Sequence, residues 1–178
     1  MAARFLIVVV AVLSGCATPA TQVGMTASAP QMASSLTIPD ELKGQIAIKD
    51  VVGGGETNPM LASNISSSDF EAALEASLRN VGLGAPNRQS GKFLLSSTLV
   101  NIAKPFVGVD LTVTTTIHYD LIRRSSNKTA WAKTISSAYT AKFSESFLAT
   151  ERLRLANEGS ARTNIETFIK ELLESGPR

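Results

Sequence analysis

Cys16 is the only cysteine of the chain and His118 is its only histidine. A thiolate is a nucleophile or a metal ligand, and an imidazole is a general base or a metal ligand. Either role needs partners, such as a base beside the thiol, a second ligand or a paired carboxylate. The sequence offers no second Cys or His, and His118 lies between polar residues of a predicted strand. We therefore predict no catalytic residue, no metal site and no cofactor.

The residues before Cys16 indicate how its thiol is used. Arg4 is followed by an unbroken apolar run over residues 5–13, which is too short to cross a bilayer as a helix. A basic start, a short apolar stretch and small residues before a cleavage site are typical of a secretory signal peptide. We therefore predict that residues 1–15 are a leader that is removed during export.

Leu13, Ser14, Gly15 and Cys16 end this leader. They resemble the lipobox of bacterial lipoproteins, in which an aliphatic residue and two small residues precede an invariant cysteine. The resemblance implies that Cys16 carries acyl chains such as palmitate and becomes the first residue of the mature protein. Two or three acyl chains anchor a protein stably, since each buried CH₂ contributes about 0.8 kcal/mol. Ala17 rather than Asp follows Cys16, which in enteric-type sorting implies the outer membrane.

The charge balance excludes one class of partner. The chain has 17 Lys and Arg against 15 Asp and Glu, and no run of basic residues. A protein that binds a phosphate backbone needs a basic patch to neutralise it. We therefore expect no nucleic-acid binding.

A change of composition divides the chain. From Ala17 to about Ile38 there is no charged residue and no apolar period, and such a stretch buries too little apolar surface to order itself. We predict that residues 16–40 are a lipidated, flexible tether and that residues 41–178 form a single periplasmic domain, an ordinary length for one core.

The predicted elements of this domain are strands at 45–52, 93–102, 110–122 and 130–143 and helices at about 68–81 and 145–175. The third strand alternates most clearly, because every second side chain is apolar or aromatic along much of its length. Ser68 and Glu71 form a predicted capping box for the first helix. The fold class is therefore α+β, a two-layer sandwich of order β-α-β-β-β-α, with both helices on one face of a four-stranded sheet. The sequence leaves open whether the second strand is a parallel neighbour of the first.

The final helix carries two further features. Arg154 and Arg162 stand four residues before and four after Glu158, a spacing that predicts a solvated outer face with opposite charges. Gly159 either bends this helix or lets it approach the sheet closely.

The connection between the second and third strands is unusually apolar for a hairpin tip. It contains Lys104, Pro105, Phe106, Val107 and Val109, which we predict to contact a partner protein or acyl chains. The alternative is that the loop folds back and buries Phe106 under the domain.

With its lipobox, tether and element order, the chain resembles small outer-membrane lipoproteins of the YajG type and, more distantly, the LPS-assembly lipoprotein. Ala17-Thr18 departs from the latter, in which Gly and an aromatic residue commonly follow the cysteine. The resemblance implies a non-enzymatic binding or assembly accessory on the periplasmic face of the cell outer membrane. Its partners would be the membrane, through the lipid on Cys16, and an envelope protein. The alternative function is a lipid or glycolipid carrier of the LPS type.

Overall fold

A four-stranded sheet forms the centre of the computed structural model, which describes residues 17–28, 37–58, 63–105 and 108–177. Its strands are β1 (Ile46–Val52), β2 (Phe93–Ala103), β3 (Leu111–Arg123) and β4 (Lys128–Ala141). They lie side by side in sequence order. β1 and β2 are parallel and the other two pairs are antiparallel, so β2 is the parallel neighbour of β1.

Within the described residues the sheet is accompanied by the helices α1 (Gln22–Met25), α2 (Ser67–Asn80) and α3 (Ala149–Ser175). α2 connects the parallel strands β1 and β2, and α3 follows β4 and packs on β3 and β4. The predicted α+β class, the β-α-β-β-β-α order and the four-stranded sheet are confirmed. The short helix α1 is an addition at the N-terminal side.

β3 follows the predicted alternation along its whole length. Every second side chain is buried against the helices, beginning at Leu111 and ending at Leu121, and those between them are exposed or half-buried. Because successive side chains of a strand point to opposite faces, this pattern fixes which face the helices cover. The polar side chains between the buried ones define an uncovered outer face of the sheet.

The start of α2 differs from the sequence prediction. Ser66, not Ser68, is the N-cap, and its Oγ accepts a hydrogen bond of 3.0 Å from the backbone N–H of Asp69. The same hydroxyl donates to Asp69 Oδ2 at 2.6 Å. The predicted Ser68–Glu71 capping box is therefore wrong, because the helix begins at Ser67 and an earlier serine reaches its free N–H groups first.

The end of α2 depends on a glycine. Gly82 has a φ of 79°, a conformation that side chains other than glycine rarely adopt. The N–H of Leu83 donates to the carbonyl of Leu78 at 2.9 Å and that of Gly82 to Arg79 at 3.0 Å. These two bonds form a Schellman motif, which satisfies carbonyls that the helix leaves free.

Aromatic rings and one buried amide join α3 to the sheet. Phe168 stacks on Tyr119 with ring centroids 4.2 Å apart. One turn earlier, Asn164 Oδ1 accepts from the Tyr119 hydroxyl at 2.9 Å, and its Nδ2 donates to the carbonyls of Thr115 and Ile135. A buried amide with these partners specifies the register of α3 on β3 and β4, because sliding the helix would leave polar groups unpaired.

Gly159 lies where α3 packs against Tyr139 of β4. A Cβ at this position would overlap three ring carbons of Tyr139. Of the two roles expected for Gly159, the close approach to the sheet is thus what the structure shows. Tyr139 itself is only half-buried, and its hydroxyl donates to Glu145 Oε2 at 3.3 Å.

Gly159→Ala should lower the free energy of unfolding by about 2 kcal/mol, because the added methyl group forces the Tyr139 ring or α3 to move. The matched control is Gly55→Ala, since a Cβ there meets nothing closer than Asn64 Cγ at 3.6 Å. Urea denaturation of the two variants measures the difference. Equal stabilities would contradict the close approach.

Candidate functional site

Residues 17–28, which we call the N-terminal strap, lie along α2 and α3 rather than extending into solvent. Ala20, Met25 and Ala27 are fully buried. The N–H of Ala20 donates to the carbonyl of Asn64 at 3.0 Å, and that of Ala27 donates to Ser77 Oγ at 2.9 Å. The flexible tether predicted for residues 16–40 is therefore corrected for residues 17–28, whose small side chains fit between the helices. Residues 29–36 lie outside the described residues, as do Leu13, Ser14, Gly15 and Cys16.

The strap is held by Glu158, near the middle of α3. Its Oε1 accepts hydrogen bonds of 2.8 Å from both the N–H and the hydroxyl of Thr21, and one of 2.5 Å from Arg154. Glu158 is only 4% exposed, so the solvated outer face predicted for this stretch is wrong. A buried carboxylate is stable here because charged and neutral donors surround it. Removing those donors would leave a buried charge without partners.

Arg154 connects this carboxylate to a second one. Its guanidinium also binds Glu151, with bonds of 2.9 and 2.5 Å. The hydrogen bond with Glu151 raises the pKa of Arg154, and the bond with Arg154 lowers the pKa of Glu151. Arg154 therefore stays charged, and Glu151 and Glu158 share its positive charge.

Gly24 lets the strap lie flat on α3. A Cβ at this position would overlap the Glu158 carboxylate. Arg162, one turn beyond Glu158, donates to the carbonyl of Gly24 at 2.6 Å. Both arginines around Glu158 therefore stabilise the strap, one through the carboxylate and one through the strap backbone.

The strap has a defined direction. Ala17 is 5% exposed and lines a hollow of about 310 Å³ with Glu56 and Asp69, at the start of α2. Ala27 lies against Ser77 and accepts a hydrogen bond from Asn80, at the end of α2. The strap thus begins beside the loops that follow β1 and β2, which we call the loop end of the domain.

The predicted contact loop between β2 and β3 lies at this loop end. Lys104 donates from Nζ to the carbonyl of Ser63 at 2.6 Å and to Asn64 Oδ1, and burial lowers its pKa. Pro105 is half-buried and Val109 is 69% exposed. Lys104 thus joins two loops of the domain, whereas Val109 is free to meet a partner. Phe106 and Val107 lie outside the described residues, so both alternatives for Phe106 stay predictions.

Three more exposed apolar side chains lie in the loop between β4 and α3. Phe143 and Phe147 make an edge-to-face contact with centroids 5.2 Å apart, and Leu148 is next in sequence. The N–H of Phe143 donates to Asp110 Oδ1 at 2.9 Å, which joins this loop to the one that contains Val109. The sequence pattern predicted that Phe143 belongs to β4 and that the last helix begins at about residue 145, within this loop. Both assignments are wrong, because β4 ends at Ala141 and α3 begins at Ala149.

The outer face of the sheet is a second candidate surface. Hydroxyl groups pair across its strands at 2.8 Å, Thr112 with Thr140 and Thr116 with Ser136. His118 joins this row through Nδ1, 2.9 Å from the Thr134 hydroxyl. The only histidine thus lies in a row of cross-strand pairs, as an ordinary strand residue would.

Two arrangements are absent from the part of the chain that the structure describes. No three Asp, Glu, His or Cys side chains there come together as a metal-binding group. Within the same ranges no helix has the length and apolar character needed to cross a bilayer.

Comparison with known protein families and with curated proteins finds no match for the chain. Solved structures do resemble it. A protein of Xanthomonas campestris from the DUF330 family aligns with a TM-score of 0.56 at 12% identity, over 77% of this chain and 89% of that one. A candidate lipoprotein of Caulobacter crescentus aligns with a TM-score of 0.51 at 8% identity, over 75% and 91%.

A third similar structure is a variant of the PelC dodecamer from Paraburkholderia phytofirmans, with a TM-score of 0.51 and 15% identity over 74% of this chain and 90% of that one. At such identities the likeness shows a shared fold. The chain therefore has a fold that bacterial proteins of the lipoprotein type adopt.

Glu158→Ala should release the strap, because Thr21 and Gly24 lose the group they pack on. We expect a loss of about 2 kcal/mol in the free energy of unfolding, the range of a hydrogen bond to a charged group. Hydrogen–deuterium exchange should also become faster in residues 17–28. Glu174→Ala is the control, since Glu174 is exposed on the same helix. Unchanged exchange in the strap would count against its attachment through Glu158.

Proposed function

We propose that this chain is a non-enzymatic lipoprotein of the bacterial cell envelope, anchored by acyl chains on Cys16 to the periplasmic face of the outer membrane, where it binds a partner protein. The binding role is inferred from the outer face of the sheet, on which no described helix packs. α2 and α3 cover one face, and the described residues place nothing on the other. A preformed flat surface of this kind suits recognition better than catalysis, which needs a cleft with converging groups.

The chemistry of the outer face supports protein binding. Near the loop end its side chains on β3 and β4 are uncharged and short, namely Thr112, Thr114, Thr116, Ser136, Ala138 and Thr140. The centres of protein interfaces are depleted in charged residues, because a buried charge must be paired. Cross-strand hydroxyl pairs already fix several of these side chains, so little rotamer freedom is lost on binding.

The free edge of β4 adds a second feature. β4 is 14 residues long, contains no proline and is the last strand of the sheet. An edge strand of this kind presents N–H and C=O groups to which another strand can add. The outer face and this edge are continuous, so one partner can use both.

The described residues give the carrier alternative no comparable support. Two hollows that they line, of about 440 and 310 Å³, have charged residues in their walls, Arg123 and Arg124 in the first and Asp69 in the second. A site for acyl chains needs an apolar cavity instead.

Replacing Cys16 by Ser should abolish metabolic labelling with palmitate. The reason is that the acyl acceptor is lost while the folded residues from Ala17 onward are unchanged. Mass spectrometry of the N-terminal peptide measures the acyl chains directly. Palmitate labelling of the Cys16→Ser chain would contradict the assignment.

A photocrosslinking amino acid at Ala138 should capture one envelope protein in cells, because Ala138 is exposed on the outer face. The control position is Lys170, which is exposed on α3 in the other layer. We expect a discrete crosslinked product at Ala138 and none at Lys170. The binding proposal fails if Ala138 yields no product, or if both positions yield the same products.

A further inference from the structure

The exposed apolar side chains of the loop end lie together on two joined loops. Val109 comes from the β2–β3 loop, and Phe143, Phe147 and Leu148 come from the β4–α3 loop; we call these four residues the loop-end cluster. Phe147 is 81% exposed and Leu148 is 56% exposed. Soluble surfaces rarely gather large apolar side chains in this way unless something covers them.

The strap determines what lies next to this cluster. Because Ala17 is buried at the loop end, Cys16 is attached one residue away from a fixed point. A peptide unit spans about 3.8 Å, so the acyl chains leave the protein within one residue of the loop end. No length of free chain separates this end of the domain from the bilayer.

The polar groups around the cluster are compatible with a lipid surface. The two carboxylates of these loops are exposed, but each accepts a hydrogen bond from the loop backbone: Asp110 from the N–H of Phe143 at 2.9 Å and Glu145 from the N–H of Lys142 at 2.7 Å. Arg152 is buried beneath the cluster, with its guanidinium 5.1 Å from the centre of the Phe143 ring and hydrogen-bonded to the carbonyl of Ser146. Lys142 is exposed. Aromatic rings beside basic side chains are the composition that favours the interfacial region of a membrane.

We propose that the loop-end cluster inserts into the boundary between headgroups and acyl chains of the membrane that holds Cys16. This proposal rests on the lipidation proposed above and adds an orientation to it. The strands then point away from the membrane. The β3–β4 turn at residues 124–127 lies at the opposite end of β4 from the loop-end cluster, on the order of 40 Å from it at about 3.3 Å per residue. The outer face and the free edge of β4 stand upright in the periplasm.

Spin labels on the full chain test this orientation. Acylation uses the only thiol, so the lipidated protein accepts a single new cysteine for labelling. We would label Phe147→Cys and Val109→Cys at the loop end, and Ser126→Cys in the distal turn as the matched control. Val109→Cys keeps both aromatic rings of the cluster. The proteins are reconstituted in vesicles of phosphatidylethanolamine and phosphatidylglycerol.

At positions 147 and 109 we expect oxygen to relax the spin label several-fold more than a water-soluble nickel complex does. At position 126 we expect the nickel complex to relax the label more than oxygen does. Labels at 147 and 109 that are as open to nickel as the label at 126 would overturn the proposal. Shielding from both reagents would also overturn it, because a second copy of the chain rather than lipid would then cover the cluster. If instead the purified protein carries no acyl chains, the lipidation proposal is the one that fails.

Discussion

A single buried carboxylate decides where the N-terminus of this protein lies. Glu158 accepts two hydrogen bonds from Thr21 and one from Arg154, and it is almost completely removed from solvent. An isolated charge in that position would be strongly unfavourable, so the folded state requires its donors to be present together. The strap is therefore part of the folded domain, and its first residue is fixed at the loop end. The orientation proposed for the anchored domain depends on this arrangement.

Two glycines make the arrangement sterically possible. Gly24 brings the strap backbone onto the Glu158 carboxylate, and Gly159, the next residue of α3, brings that helix onto the Tyr139 ring. Strap, helix and sheet are thus stacked through adjacent positions of α3. The two close contacts lie at adjacent positions of one helix, so a shift of α3 changes both.

The sheet and its two main helices could be predicted because their patterns are local. β3 shows strict alternation, and α2 shows an apolar stripe that ends at a glycine. The strap could not be predicted, because its residues have no period and its partner Glu158 is 137 positions away from Thr21. Glu158 itself fitted the spacing of opposite charges on an exposed helix face. That local pattern gives no indication that a distant segment of the chain buries the residue. In the loop-end cluster, Phe143 continued the four-residue spacing of Ile135 and Tyr139, so it was assigned to the last strand. The predicted final helix, from about residue 145 to 175, included Phe147 and Leu148. Phe143 and Phe147, four residues apart among polar residues, were the available indication that this segment is an exposed loop.

The separation of 137 positions between Thr21 and Glu158 also sets an order of events during biosynthesis. The strap is among the first parts of the chain to be translated, whereas its binding surface on α3 is among the last. The strap is therefore undocked and extended throughout synthesis, and contacts between such distant positions form late. The acylation proposed for Cys16 needs an accessible N-terminal segment, and an undocked strap provides one until α3 has folded. Docking of the strap on α3 then ends this access.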